Sequence, residues 1–156
     1  MKTHRYEVRV DWTGNVGEGT KSYKGYRRDH TISAGSKLAI PGSSDPSFRG
    51  DASRYNPEEL LVASLSACHM LWYLHLCSVN HVTVAGYRDA ADGVMQENDD
   101  GSGEFVGVVL KPRVEISAGD DKSKALALHE EAHRLCYIAR SVKFPVAVEA
   151  EIAVRD

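Results

Sequence analysis

The 156-residue sequence has little of anything that would set it apart from ordinary globular chains. Three cysteines, an odd number, close no disulfide framework and leave metal binding, redox chemistry or plain burial as their roles. Only five prolines occur, no Pro- or Ser-rich linker separates two halves and no internal repeat is visible, so one domain over residues 1–156 is expected. Neither sign of charge dominates. The 19 basic and 22 acidic residues give a net charge of −3, which removes the electrostatic case for a nucleic acid or an anionic membrane as partner. The opening MKTHRYEVRV has no apolar signal core, and a cytoplasmic location is expected. One absence is local: from Leu60 to Val79, twenty consecutive residues carry no Asp, Glu, Lys or Arg, enough length for a bilayer span. Ser64, Ser66, His69, His75 and Ser78 spread polar groups around that whole segment and no basic residue flanks it closely, so a buried helix rather than a membrane span is expected.

The patterns that are present describe an α+β fold. His4 to Trp12 alternates, with Tyr6, Val8, Val10 and Trp12 on one face, and predicts a half-buried strand. Gly14, Gly17 and Gly19 make a turn, Lys21 to Ser33 returns as a second strand, and Ala34 to Tyr55 reads as a long irregular loop, a length that marks function. Asn56-Pro57-Glu58-Glu59 combines an N-cap, a first-turn proline and two carboxylates at the positive end of the helix dipole, so a helix starts here and runs to about Val79. Val82 to Met95 and Phe105 to Ser117 predict strands about an Asn98–Gly101 turn, with Pro112 at a bulge or an edge. Asp120 and Asp121 cap a second helix to about Arg140, whose apolar stripe is Leu128, Ala132, Leu135, Cys136 and Ala139. Val146 to Val154 closes the chain as a strand.

Two arrangements suggest a metal, and neither holds. His129-Glu130-Glu131-Ala132-His133 satisfies the H-E-x-x-H pattern of zinc peptidases, yet a third ligand is needed and the position of one common extension is Ala139. The motif therefore reads as a solvated helix face. Cys68, His69, His75 and Cys77 cannot share one ion, because nine residues put Cys68 and Cys77 on opposite sides of a helix. Cys77 is then a small buried hydrophobe. No metal or cofactor is assigned. Cys68 and Cys136 are different: each falls within one of the two long helices, with His75 on the face of Cys68 and with His129 and His133 on the side of Cys136. A thiol beside cationic or imidazole groups is acidified into the reactive thiolate.

The residues around these thiols carry a resemblance. Asn56-Pro57-Glu58-Glu59-Leu60, the ten-residue step from Glu58 to Ala67-Cys68, and Ala132-His133-Arg134-Leu135-Cys136 downstream closely resemble the OsmC/Ohr family of osmotically inducible and organic-hydroperoxide-resistance proteins, over essentially the whole chain. The resemblance implies an α+β fold of antiparallel sheets with two long helices, the first buried centrally in an intertwined homodimer. It also implies a thiol peroxidase that needs no cofactor. Cys68 matches the peroxidatic cysteine that takes the terminal oxygen of an organic hydroperoxide, and Cys136 the resolving cysteine that forms a disulfide with it. A dithiol then reduces that disulfide, lipoyl groups serving in part of the family. Glu58 matches the carboxylate that holds an arginine against the thiolate; Arg49, nineteen residues before Cys68, is the arginine chosen, with Arg28 in reserve.

Ten residues of straight helix span about 15 Å, so Glu58 assists Cys68 only if the helix breaks near Ala63 to Ser66 or the site is completed across a dimer. Tyr137 follows Cys136 where the family commonly has Pro, so the second helix is expected to continue past the thiol. Met70, Leu71, Trp72 and Tyr73 form a bulky apolar surround that favours organic hydroperoxides over hydrogen peroxide. Two other readings of the same residues are a non-enzymatic stress protein binding an apolar ligand and, through His129 and His133, a zinc peptidase.

Overall fold

The Asn56-Pro57-Glu58-Glu59 start behaves as its residue types require in the computed structural model, which describes residues 1–155. Asn56 Oδ1 accepts the Glu59 amide at 2.8 Å, and Glu59 Oε2 accepts the Asn56 amide at 3.1 Å, a reciprocal capping box. Helix α1 then runs unbroken over Pro57–Val79. No kink occurs at Ala63 to Ser66, because the segment holds neither Gly nor Pro. Ser66 also sends its hydroxyl outward to Asp89 Oδ2 at 2.5 Å instead of back to a helix carbonyl.

The chain divides into two compact units, residues 1–61 and residues 62 onward. In the first, β1 (Arg9–Trp12), β2 (His30–Ser33) and β3 (Ile40–Gly42) form an antiparallel sheet in that order. The expected strand from His4 shrinks to four residues, since β2 offers partners only as far as Ser33, opposite Arg9. Tyr6, Val8 and Val10 are exposed rather than half-buried. The expected strand from Lys21 is likewise reduced to its last four residues, and the long loop supplies β3 and a 3-10 turn, Pro46–Phe48, capped by Asp45.

In the second unit each expected strand is split in two, and the chain changes sheet at the split. Val82 to Met95 becomes β4 (Val84–Asp89) and β5 (Asp92–Glu97); Phe105 to Ser117 becomes β6 (Gly103–Leu110) and β7 (Pro112–Ser117); the last becomes β8 (Val146–Val148) and β9 (Glu151–Arg155). One sheet has the order β4-β7-β9 and the other β5-β6-β8. Both are mixed rather than antiparallel: β6 pairs with β8, and β7 with β9, in parallel. The chain reaches β8 and β9 only after a helical crossover, which is what parallel pairing requires. Pro112 lies at neither an edge nor a bulge; it opens the central strand β7, and a first strand position also tolerates its missing N–H. Helix α2 covers Lys122–Leu135, with Asp121 accepting the amides of Ser123 and Lys124. It stops at Leu135 rather than near Arg140, and Ala139–Ser141 forms a separate 3-10 turn. Along α1 the residues Leu65, His69, Tyr73 and Cys77, four apart, are buried. Tyr73 and Cys77 pack with Val82, Val114, Ile116, Ala125, Ala132 and Ile152, while Leu65 packs with Val108 and Leu110.

Candidate active site

Cys68 and Cys136 meet. Cys68 projects half-buried from the middle of α1, and Cys136 is buried at the C-cap of α2, not within the helix as its spacing predicts. Extended backbone at Cys136 (φ −64°, ψ 111°) turns the chain out of α2, and its sulfur accepts the Ala139 amide at 3.4 Å. The residue thus ends one helix and caps the turn that follows. The two thiols are close enough to interact electrostatically, and neither is in a disulfide. Burial, more than any neighbour, pushes the Cys136 thiol up to about 11, with the Cys68 contact adding to the rise and the Ala139 amide opposing it. Cys77 lies apart in the core, its thiol also pushed up by burial.

Behind the thiols lies a pair that sequence spacing did not bring together. His69 Nε2 and His129 Nδ1 are 3.0 Å apart, with the rings nearly parallel at 5° and 5.3 Å between centroids. His129 also stacks on Tyr73 at 3.8 Å, and Tyr73 Oη donates to the Ala125 carbonyl at 3.0 Å. Neither imidazole reaches solvent appreciably: His69 is 0% and His129 3% exposed. Burial is the main cause that drives His69 down to about 4, with His133 adding to the fall and Asp89 opposing it, and drives His129 down to about 3. Both rings are neutral at ordinary pH, so one donates and the other accepts. Their outer nitrogens, His69 Nδ1 and His129 Nε2, have no partner among the described residues. His129 is therefore a core residue and not part of a solvated face. The signal available was a histidine standing on the otherwise apolar stripe of each helix.

The zinc-peptidase arrangement does not assemble. His129 and His133 border a cleft with Leu126, Glu130, Val148 and Ala150, but among the described residues no three His, Cys, Asp or Glu side chains converge as metal ligands. One turn along α1 from Cys68 stands an aromatic cluster. Trp72 presents an edge-on contact to Tyr137 at 5.5 Å and to the exposed His75 at 5.9 Å.

The remaining expected site residues are placed by the first unit. Glu58 sits partly buried in the first turn of α1 and forms no ion pair among the described residues. Arg49 is exposed just after the 3-10 turn with φ 65° and is likewise unpaired among the described residues. Arg28 is held locally: its guanidinium donates to the carbonyls of Tyr23 and Tyr26 and lies over both rings, at 4.5 and 4.1 Å.

The family model of OsmC-like proteins matches residues 50–151. An OsmC-like protein of unknown function from Vibrio cholerae superposes with a TM-score of 0.87 at 29% identity, covering 96% of this chain and all of its own. An organic hydroperoxide resistance protein OsmC from Legionella pneumophila matches at TM-score 0.70 and 16% identity, over 99% of this chain and 100% of that one. The organic hydroperoxide resistance protein OhrB of Bacillus subtilis matches at 0.63 and 19%, over 96% and 98%. These last two establish the fold. No curated protein matches the chain.

Proposed function

This chain belongs to the OsmC-like protein family, and from that premise we propose that it is a thiol-dependent peroxidase reducing organic hydroperoxides to alcohols through Cys68 and Cys136. The observation that carries the reading is the meeting of two free thiols from separate helices, one accessible and one buried. The organic hydroperoxide resistance described for relatives of the same fold supports it.

In this reading the Cys68 thiolate attacks the terminal oxygen of the hydroperoxide, the O–O bond breaks, and the departing alkoxide takes a proton to become the alcohol. Cys136, held protonated by its raised pKa, does not compete for the peroxide. Once Cys68 carries a sulfenic acid, the Cys136 sulfur displaces the hydroxyl, its own proton leaves with that hydroxyl as water, and a disulfide remains for a cellular dithiol such as a lipoyl protein to reduce. Trp72 and Tyr137 supply apolar surface for an alkyl tail.

The active unit in this proposal is a homodimer. Helix α1 is long and apolar enough by length and composition to cross a bilayer, and only 22% of its most apolar window is buried within one chain, with Leu71 63% exposed. A second copy rather than a membrane covers that surface. With α1 unbroken, Glu58 and Arg49 act on the thiolate from the partner subunit, Glu58 holding the guanidinium that stabilises the negative sulfur. A reducing cytoplasm keeps the three free cysteines available.

The test is consumption of cumene hydroperoxide with dihydrolipoamide as reductant. Cys68→Ser is expected to lose the rate by roughly a hundredfold or more, as removal of a nucleophile does. Cys136→Ser should complete one turnover per subunit and then stall. Equal rates in wild type and Cys68→Ser would refute the mechanism.

A further inference from the structure

Polar contacts join α1 to α2 and to its C-terminal cap. Tyr73 Oη donates to the Ala125 carbonyl at 3.0 Å; four residues back along α1 and four forward along α2, His69 meets His129 at 3.0 Å; beyond them Cys68 meets Cys136. The equal and opposite steps of the tyrosine and histidine contacts run the two helices antiparallel there, and the histidine pair is the nearer of these two contacts to the thiols. Past it, α2 has less than two turns left, and at the cap Cys136 leaves helical backbone angles while its amide still donates to the His133 carbonyl.

The pair is a poor choice for stability alone. Among the described residues each ring leaves one buried nitrogen unpartnered, His69 Nδ1 and His129 Nε2, and an unsatisfied buried polar atom carries a desolvation cost that two apolar side chains would not. What a bond between two neutral imidazoles provides instead is direction. It is made at one rotation and one axial offset of α2 against α1, whereas apolar packing tolerates sliding; buried polar contacts between helices are known to select register in this way.

We propose that His69 and His129 are positioning residues whose buried bond sets the register of α2 on α1 and so seats the Cys136 sulfur against Cys68. The proposal rests on the thiol-exchange reading above, but it concerns only how readily the Cys68–Cys136 bond forms. In the step affected, Cys68–SOH and Cys136–SH become the disulfide and water: the S–O bond breaks, the S–S bond forms, and the thiol proton leaves with the hydroxyl.

The experiment equilibrates the protein anaerobically with mixtures of reduced and oxidised dithiothreitol at pH 8 and reads the fraction of Cys68–Cys136 disulfide by mass, which needs no peroxide. The double variant His69→Leu/His129→Leu replaces the bond by apolar packing. His69→Gln/His129→Asn keeps it, because the Gln amide stands where Nε2 was and the Asn amide where Nδ1 was. Among variants with a native near-ultraviolet spectrum, the Leu pair should lower the effective concentration of the two thiols by about tenfold or more, as loss of a near-contact geometry does. The amide pair should hold it near the wild-type value. With excess cumene hydroperoxide the Leu pair should also accumulate Cys68 sulfinic acid. If the Leu pair does not fold, His129→Gln, whose amide sits at the wrong ring position, takes its place with the same expectation. An unchanged effective concentration without the bond, a folded amide pair that fails to restore it, or no disulfide in the wild type at any ratio would each overturn the proposal. A wild type that forms the disulfide but consumes no hydroperoxide would sink the peroxidase reading and leave this one standing.

Discussion

Acidification should destabilise this protein well before its carboxylates titrate, and the buried histidine pair is the reason. In the native state His69 and His129 are held near 4 and near 3, against 6.5 for a free imidazole. The unfolded chain therefore binds more protons as pH falls, so the stability these rings contribute is complete above about pH 6.5 and is lost progressively toward their native values. At pH 5 an unfolded ring with pKa 6.5 is favoured about 30-fold by protonation while the native ring stays neutral, which is about 2 kcal/mol per ring and about 4 kcal/mol for the pair. That is a large part of the 5–15 kcal/mol typical of a whole domain. Urea denaturation at pH 8.0, 6.5 and 5.0, at one fixed protomer concentration, reads the loss directly. The amide variant His69→Gln/His129→Asn has no proton to take up there, and its stability should change by less than about 1 kcal/mol over the same range. A wild type that loses less than about 1 kcal/mol between pH 8 and pH 5, or an amide variant that loses as much as the wild type, would refute the reasoning.

Other consequences are open to simpler measurements. Leu65 is fully buried against Val108 and Leu110, so Leu65→Ala should cost about 3–4 kcal/mol in urea denaturation through lost transfer energy and a residual cavity. A Cβ on Gly50 would run into the Ser44 carbonyl, so Gly50→Ala should destabilise by about 1–3 kcal/mol. Gly107, where the nearest atom to a Cβ is 3.7 Å away, should accept Ala with a change within about 0.5 kcal/mol. Because the Cys136 thiol is pushed up to about 11, only about one molecule in a thousand is thiolate at pH 8. In Cys68→Ser protein unfolding-independent alkylation of Cys136 by iodoacetamide should then climb about tenfold per pH unit from 8 to 10; a rate that levels off near pH 9 would contradict the raised value.

Much of the secondary structure was legible because it is decided within a few residues. The start of α1 follows from Asn56, Pro57 and Glu59, whose capping bonds close over three residues. Its length follows from the absence of any breaker up to Val79. Strand alternation was legible too, but alternation says only which side chains share a face. It runs without interruption through Glu149-Ala150, and strand-like sequence stands on both sides of Ala90-Ala91 and of Lys111; at all three places the chain leaves one sheet for another, so three expected strands proved to be six. The end of α2 escaped for a related reason. The helical periodicity continues past Leu135, and it is the bonding of the Cys136 sulfur to the Ala139 amide, together with the thiol contact to Cys68, that accompanies the turn away from it. Pro112 looked like an edge signal, yet as the first residue of β7 it is compatible with the centre of a sheet.

The sequence by itself determined the family, the two helices and the α+β class. Each is written in spacings shorter than one helix or in motifs that stand intact along the chain. Only the tertiary structure decided that His69 lies on His129, sixty residues away, and that Cys136 caps a helix instead of riding in one. Those outcomes depend on the register between two packed helices, which is set by the sum of many contacts along both and by no spacing within either. A histidine on an apolar stripe announces that something must meet it; which atom does so is settled when the helices dock.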